Sequence, residues 1–204
     1  MDNKQAEQIN REEACKQLSS EGRKHFNLIE FDANERLVTE IRKDPVGLVI
    51  ILLIGGLVII LSLIAAIFIS TANLDSFLNT TNLNAMRGIG VAAALLMALL
   101  GVIGTFIGAF LYRSNVIYVT SEKIAQVLYT SLFNRKISQL SIGDVQDVTV
   151  TQKGIPAHIF NYGVLVIETA GEQQNYTFTF VPDPYSVSKS IVGSHEVNLT
   201  QYGN

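Results

Sequence analysis

The sequence predicts an α+β chain: a two-helix hairpin of membrane-spanning length, then antiparallel strands closed by a C-terminal helix. Three observations carry this. The 15 Lys+Arg and 18 Asp+Glu residues all lie outside two apolar segments, 46–70 and 88–112, and each segment reaches the ~20 residues needed to cross a bilayer. After the second segment come short β-branched and aromatic runs broken by turn residues. Near the end, Asp183-Pro184 opens a helix, with the acid as cap and the proline in the first turn. This pattern excludes a wholly soluble enzyme, a disordered chain and a many-helix transporter. No part of the chain is basic enough to suggest nucleic acid as a partner.

Residues 1–45 are too polar for a secretory signal, which reaches its apolar core almost at once. Within them, 4–18 is helix-compatible, but its apolar content is thin: Ile9, Ala14 and Leu18. That fits a solvated helix or disordered tail better than a partner-binding one. Cys15 is the single cysteine; it has no partner for an internal disulfide and reads as a small residue on that helix. Leu37, Thr39 and Ile41 alternate with Val38 and Glu40 at strand period. Two fates stay open for this strand: a solvated linker, or pairing with the sheet that follows the spans. Asp44-Pro45 then ends it and starts the first span.

The segment 71–87 between the spans is rich in Asn, Thr and Ser, so a helical hairpin follows. Arg36, Arg42 and Lys43 precede the first span, Arg87 lies in the loop, and Arg113 and Lys123 follow the second. This bias places both termini in the cytoplasm and 71–87 outside. Small residues form stripes, Gly55, Ser62, Ala66 and Ser70 in one span and Ala94, Ala98, Gly101, Thr105 and Gly108 in the other. They serve either packing within the hairpin or contact between copies of the chain. Neither span holds an ionisable residue, which argues against transport by these helices alone.

In the C-terminal region, 115–120 and 123–129 flank Ser121-Glu122 as a tight hairpin, with further strands near 136–139, 145–152, 163–169 and 175–181. The last alternates, placing Tyr176, Phe178 and Phe180 on one expected core face and Thr177 and Thr179 on the other. Ala170-Gly171-Glu172 supplies the turn before it. The terminal helix is expected from Pro184 to about Ile191, stopping at Gly193.

The order of two membrane helices, Tyr118-Val-Thr120, the segment 142–148 (IGDVQDV), the segment 162–171 (YGVLVIETAG) and Val181-Pro-Asp-Pro184 resembles the bacterial pleckstrin-homology family, YdbS-like membrane proteins. The resemblance implies a PH-like β-barrel or sandwich of seven strands with a C-terminal helix at one open end. Six strands are legible after the spans, so either 37–41 supplies the seventh or two have been merged. The division expected is a polar cytoplasmic segment 1–45 with its pre-membrane strand, a hairpin 46–112, a PH-like domain 113–193 and a tail 194–204.

A PH fold alone does not establish headgroup binding. The first hairpin loop, Ser121-Glu122-Lys123, offers one Lys beside a Glu, a poor phosphate clamp. Arg135 and Lys136 are the only adjacent basic pair in that domain, read as a solvated turn or an anionic-lipid contact. His25, His158 and His195 have no neighbours at metal-ligand spacing, and no Gly-rich loop cradles phosphate. Asp144 and Asp147 read as turn and edge charges. No catalytic, cofactor or metal residue is therefore assigned and no enzyme is expected. Two functions remain: a membrane-anchored, non-catalytic interaction or scaffold module with an unidentified protein partner, or a membrane-remodelling or pore-type oligomer assembled through the hairpin.

Overall fold

The computed structural model describes residues 3–32, 34–72, 83–169 and 176–202. They form two compact units: Met1–Gly47 with Leu111–Asn204, and Leu48–Phe110. The strand before the first span belongs to the sheet after the second.

In the first unit, α1 (Asn3–Gln17) and α2 (Ser20–Phe26) precede β1 (Leu37–Arg42). Beyond the hairpin follow β2 (Val116–Thr120), β3 (Lys123–Tyr129), β4 (Arg135–Ser141), a 3-10 turn (Ile142–Asp144), β5 (Val145–Thr151), α5 (Ile155–Ile159), β6 (Tyr162–Thr169), β7 (Tyr176–Pro182) and α6 (Pro184–Tyr202). The strands form two antiparallel sheets, ordered β1-β2-β3-β4 and β5-β6-β7. Of the two fates left open for 37–41, pairing is the one observed: Arg42 lies opposite Val116 and Ile41 opposite Ile117. It is the seventh strand.

Between the sheets lie Ile41, Val119, Ile124, Ile142, Leu165, Ile167, Phe178 and Val181, closed by Ile191 of α6. A second apolar cluster lies on the other side of the first sheet. There Val116, Tyr118, Ala125 and Val127 meet Ala14, Leu18, Phe26, Ile29 and Phe31. The N-terminal segment is therefore not the solvated helix or disordered tail that its composition suggests. Polar ties supplement its thin apolar face: Glu40 accepts from the Ser19 N–H at 2.7 Å and its hydroxyl at 2.6 Å, and the Tyr118 hydroxyl donates to the Gly22 carbonyl. A Cβ at Gly22 would fall 2.6 Å from the Glu40 carboxylate, so a larger residue there would push that side chain aside.

Two further expectations are corrected. α6 does not stop at Gly193 but runs to Tyr202, so 194–202 is no tail. A mid-helix Gly costs only about 1 kcal/mol, and the continuation is tied down by His195 Nδ1 at 2.7 Å from the Ile142 carbonyl and by Asn198, which donates to the Ser121 carbonyl. Asp183 does cap this helix: Ser186 hydrogen bonds hold its carboxyl below the usual range. Phe180 leaves the core face, because β7 carries a bulge. Val164 pairs with Thr179 and Gly163 with Val181, so Phe180 is an extra residue at φ +56° and Val181 turns inward in its place. The turn at Ala170-Gly171-Glu172 lies outside the described residues.

In the second unit, α3 (Pro45–Thr71) and α4 (Leu83–Arg113) are long and apolar enough to cross a membrane. α4 starts earlier than 88, shortening the expected loop; residues 73–82 lie outside the described residues. The stripes serve packing within the hairpin. Ser62, Ala66 and Ala98 are buried, a Cβ at Gly55 would collide with Thr105, and one at Gly101 would approach Ile59 to 3.1 Å.

Candidate functional site

The two long helices are rooted at one end of the paired sheets. Asp44 caps α3: its carboxylate accepts from the Val46 N–H at 2.8 Å, while its own N–H donates to the Phe180 carbonyl at 2.7 Å. The Tyr112 hydroxyl, one residue before the end of α4, donates to the Asp44 carbonyl at 2.6 Å. Gly47 is needed opposite, because any Cβ there would strike the Tyr112 phenol. Phe180, displaced by the bulge, fills the corner: its ring lies edge-on to Tyr112 at 5.9 Å and stacked on Tyr162 at 5.4 Å. A positive φ at a Phe is uncommon strain, and here it delivers both the ring and the carbonyl that hold Asp44. Lys43 lies over the Tyr112 ring at 5.3 Å, and burial pushes its ammonium below the usual lysine range.

Two hollows adjoin this corner. A cavity of about 150 Å³ opens where β1 meets β7, lined by Arg42, Lys43, Asn115, Gln126, Thr177 and Phe178. A more apolar cleft of about 370 Å³ lies against Tyr162, Val166, Phe180, Ala157 and Lys153.

The remaining positions singled out in the sequence do not converge. Lys123 of the first hairpin turn points to the arm: its ammonium lies 3.1 Å from Asp32 and 3.2 Å from Glu35, whose buried carboxylate also accepts from Thr120. Burial alone would lower the Lys123 pKa, but the hydrogen bond to Asp32 and the charge of Glu35 prevail and raise it. Asp32, Glu35 and Glu122 bring carboxylate oxygens within 4.8 Å of one another, with the Lys123 ammonium against two of them. The turn is a structural staple turned inward, not a phosphate clamp. His25 packs on Tyr129, His158 meets the Gly154 carbonyl and His195 the Ile142 carbonyl, in separate places. Asp147 accepts from Val148 and Thr149 within its own strand. Arg135 and Lys136 are exposed at the start of β4. Sequence reasoning did not find the Asp44–Tyr112–Phe180 corner. Its one signal was the pair of polar or aromatic residues bracketing the spans, Asp44 and Tyr112.

Seven strands in two antiparallel sheets, with a C-terminal helix against the inter-sheet core, match the fold expected of a PH-like domain. A family model described as the bacterial PH domain matches residues 36–191, which takes in β1, both long helices and β2 to β7. The chain belongs to the bacterial PH domain family. Among solved structures it is similar to a DUF1696 family protein with a pleckstrin-homology domain from Shewanella loihica PV-4. The identity is 14%, with 40% of this chain and 70% of that chain covered, at a TM-score of 0.32. No curated protein matches the chain. In this PH domain the long hairpin is an insertion between the first and second strands, so the domain is assembled from sequence on both sides of it.

Proposed function

We propose that this PH-domain chain is a YdbS-like membrane protein: a non-catalytic interaction or scaffold module anchored in the cell membrane by its hairpin, with both termini in the cytoplasm. One observation carries the reading. Both helices arise from neighbouring positions of one sheet, Arg42 opposite Val116, so the domain grips the two ends of a single anchor. The helices suit lipid: Leu53, Ile89 and Phe106 are 67%, 70% and 73% exposed, which water would not tolerate over such lengths. Arg42, Lys43 and Arg113 lie at the roots, consistent with a cytoplasmic domain. Protein partners would meet the outer edge of the first sheet, where, among the described residues, β4 pairs only with β3 and its edge groups fit strand addition.

The test is thiol accessibility in intact cells on a Cys15→Ser background. Ser76→Cys should react with a membrane-impermeant reagent, and Lys189→Cys only after permeabilisation. The reverse pattern overturns the orientation, and release of the protein by alkaline carbonate overturns the anchoring. The pore-type alternative has no comparable support, because the small-residue stripes are used inside the hairpin.

A further inference from the structure

The strand register places two unrelated loops at the same end of the barrel as the helix roots. Arg42, Val116 and Val127 lie level across β1, β2 and β3. Beyond Val127, β3 runs on to Tyr129, which pairs with Arg135, so the 130–134 tip lies on the root side. The Tyr129 N–H donates at 2.7 Å to the Asn115 side chain, two residues after α4 ends. The second loop is α5. It leads directly into Tyr162, whose ring stacks on Phe180, and Phe180 in turn meets Asp44 and Tyr112.

Both loops present large apolar side chains to the outside. At the 130–134 tip, Phe133 is 99% exposed and Leu132 42%. The tip is a formed turn, with the Thr130 and Ser131 N–H groups donating to the Asn134 carbonyl and the Asn134 N–H to Ser131. On α5, Ile155, Ile159 and Phe160 are 75%, 70% and 58% exposed; Ile155 and Ile159 are four apart and share a helix face. Single exposed apolar residues are ordinary. Two separate loops that each expose a cluster, at the one end of the domain where both long helices join its strands, are not.

Basic residues flank both loops. Arg135 and Lys136 flank the first loop and Lys153 the second, all exposed, and no Asp or Glu occurs from 129 to 143 or from 148 to 167. The opposite end carries Glu122, Asp144, Asp147 and Glu168 together with Arg36 and Lys123, while the acids at the root end are engaged: Glu21 with Arg42 and Arg113, Asp44 as the α3 cap and Asp183 with Asn161. Apolar side chains framed by Lys and Arg have the chemistry of segments that lie in a bilayer interface.

We infer that the Leu132-Phe133 tip and the Ile155, Ile159, Phe160 face of α5 are a second contact with the bilayer, dipping into its interfacial layer beside the hairpin. This rests on the proposed anchoring. The occupant is the membrane rather than another protein because both loops lie at the end of the sheets where β1 runs into α3 and α4 runs into β2, the end from which the proposed anchor leaves. The lipid-contact reading of Arg135 and Lys136 is thereby recovered, in a role that needs no specific headgroup.

The experiment uses the full chain, Cys15→Ser, in vesicles of three parts phosphatidylcholine to one part phosphatidylglycerol. Single cysteines at Phe133, Ile159 or, as the distal control, Asp144 carry an environment-sensitive fluorophore. Co-flotation with vesicles after a carbonate wash reports the anchoring separately. The expected result is blue-shifted emission, quenching by lipids spin-labelled near the headgroup, and several-fold weaker iodide quenching at 133 and 159 than at 144. Equal iodide quenching at all three positions in protein that floats overturns the inference and leaves the anchoring intact. Protection that grows with the protein-to-lipid ratio identifies a second copy as the occupant and also overturns it. Protein that does not float removes both readings.

Discussion

Two helical elements cover the PH domain, and they are held in different ways. α6 closes the inter-sheet core with Ile191, fully buried, and locks its far end through His195 and Asn198. The α1–α2 arm covers the opposite face of the first sheet with smaller or scattered side chains, Ala14, Leu18, Phe26 and Ile29. It adds a set of polar ties: Glu40 to Ser19, Tyr118 to Gly22, and Arg11 to the carbonyls of Phe26 and Ile29 at 3.1 and 2.8 Å. A cover that shares the main core melts with it. A cover built on a separate cluster and on long-range hydrogen bonds can open alone.

The largest effect expected from this difference is at Phe178, at the centre of the inter-sheet core. Phe178→Ala should cost about 3–5 kcal/mol by cavity formation, seen as faster amide exchange in both sheets and α6 of the full chain in detergent. Exchange unchanged in β6 and β7 would show that this side chain does not organise the core. Next is Lys123→Met, which keeps the stem but leaves the Glu35 carboxylate buried without its cation. The loss should approach about 3–5 kcal/mol, and Lys123→Met with Glu35→Gln should recover much of it. Failure of the second substitution to rescue the first would deny that the pair acts as a unit.

Smaller still is Glu40→Ala, which removes two bonds to Ser19 and should cost about 1–3 kcal/mol. Its signature is local: exchange rises in 14–31 while β5 to β7 stay protected. A uniform rise through both sheets would mean that the arm and the barrel melt as one. The smallest effect is pH-dependent. Burial, then the charges of Arg135 and Lys24, hold the His25 imidazole below its ordinary pKa, so the folded arm prefers it neutral. As pH falls below about 6.5, the unpacked arm takes up the proton first and is favoured. Arm exchange should quicken on acidification, and His25→Gln should abolish that dependence.

The comparison also explains what the sequence made legible. The long helices, the β2–β3 hairpin and the Asp183 cap follow from local chemistry and were readable in the chain. The arm was not, because its ties join residues such as Ser19 and Glu40 that are far apart in sequence. A signal for it was nevertheless present in β2. Val116-Ile117-Tyr118-Val119 is apolar at every position, which a strand needs only when both its faces are covered. Phe180 was misplaced because alternation assumes an unbroken ladder, and a one-residue bulge reverses the face of everything after it. Gly193 was taken as a stop when the anchoring contacts of α6 lie beyond it. For the candidate site, Asp44 and Tyr112 meet only once the sheet has closed, so no spacing rule could join them.

The insertion of the hairpin between β1 and β2 sets the order in which this protein can be built. β1 leaves the ribosome first and has no sheet to join, because its partner lies beyond residues 43–115. Closing so long a loop in solution carries an entropic cost that grows with its length, and an unpaired strand meanwhile invites other chains. Insertion of the two helices into a membrane would bring Arg42 and Val116 together before β3 has been made. On the proposed anchoring, the bilayer thus serves as the template for the first strand pairing, and the soluble domain of this protein completes itself only after its membrane segment is in place.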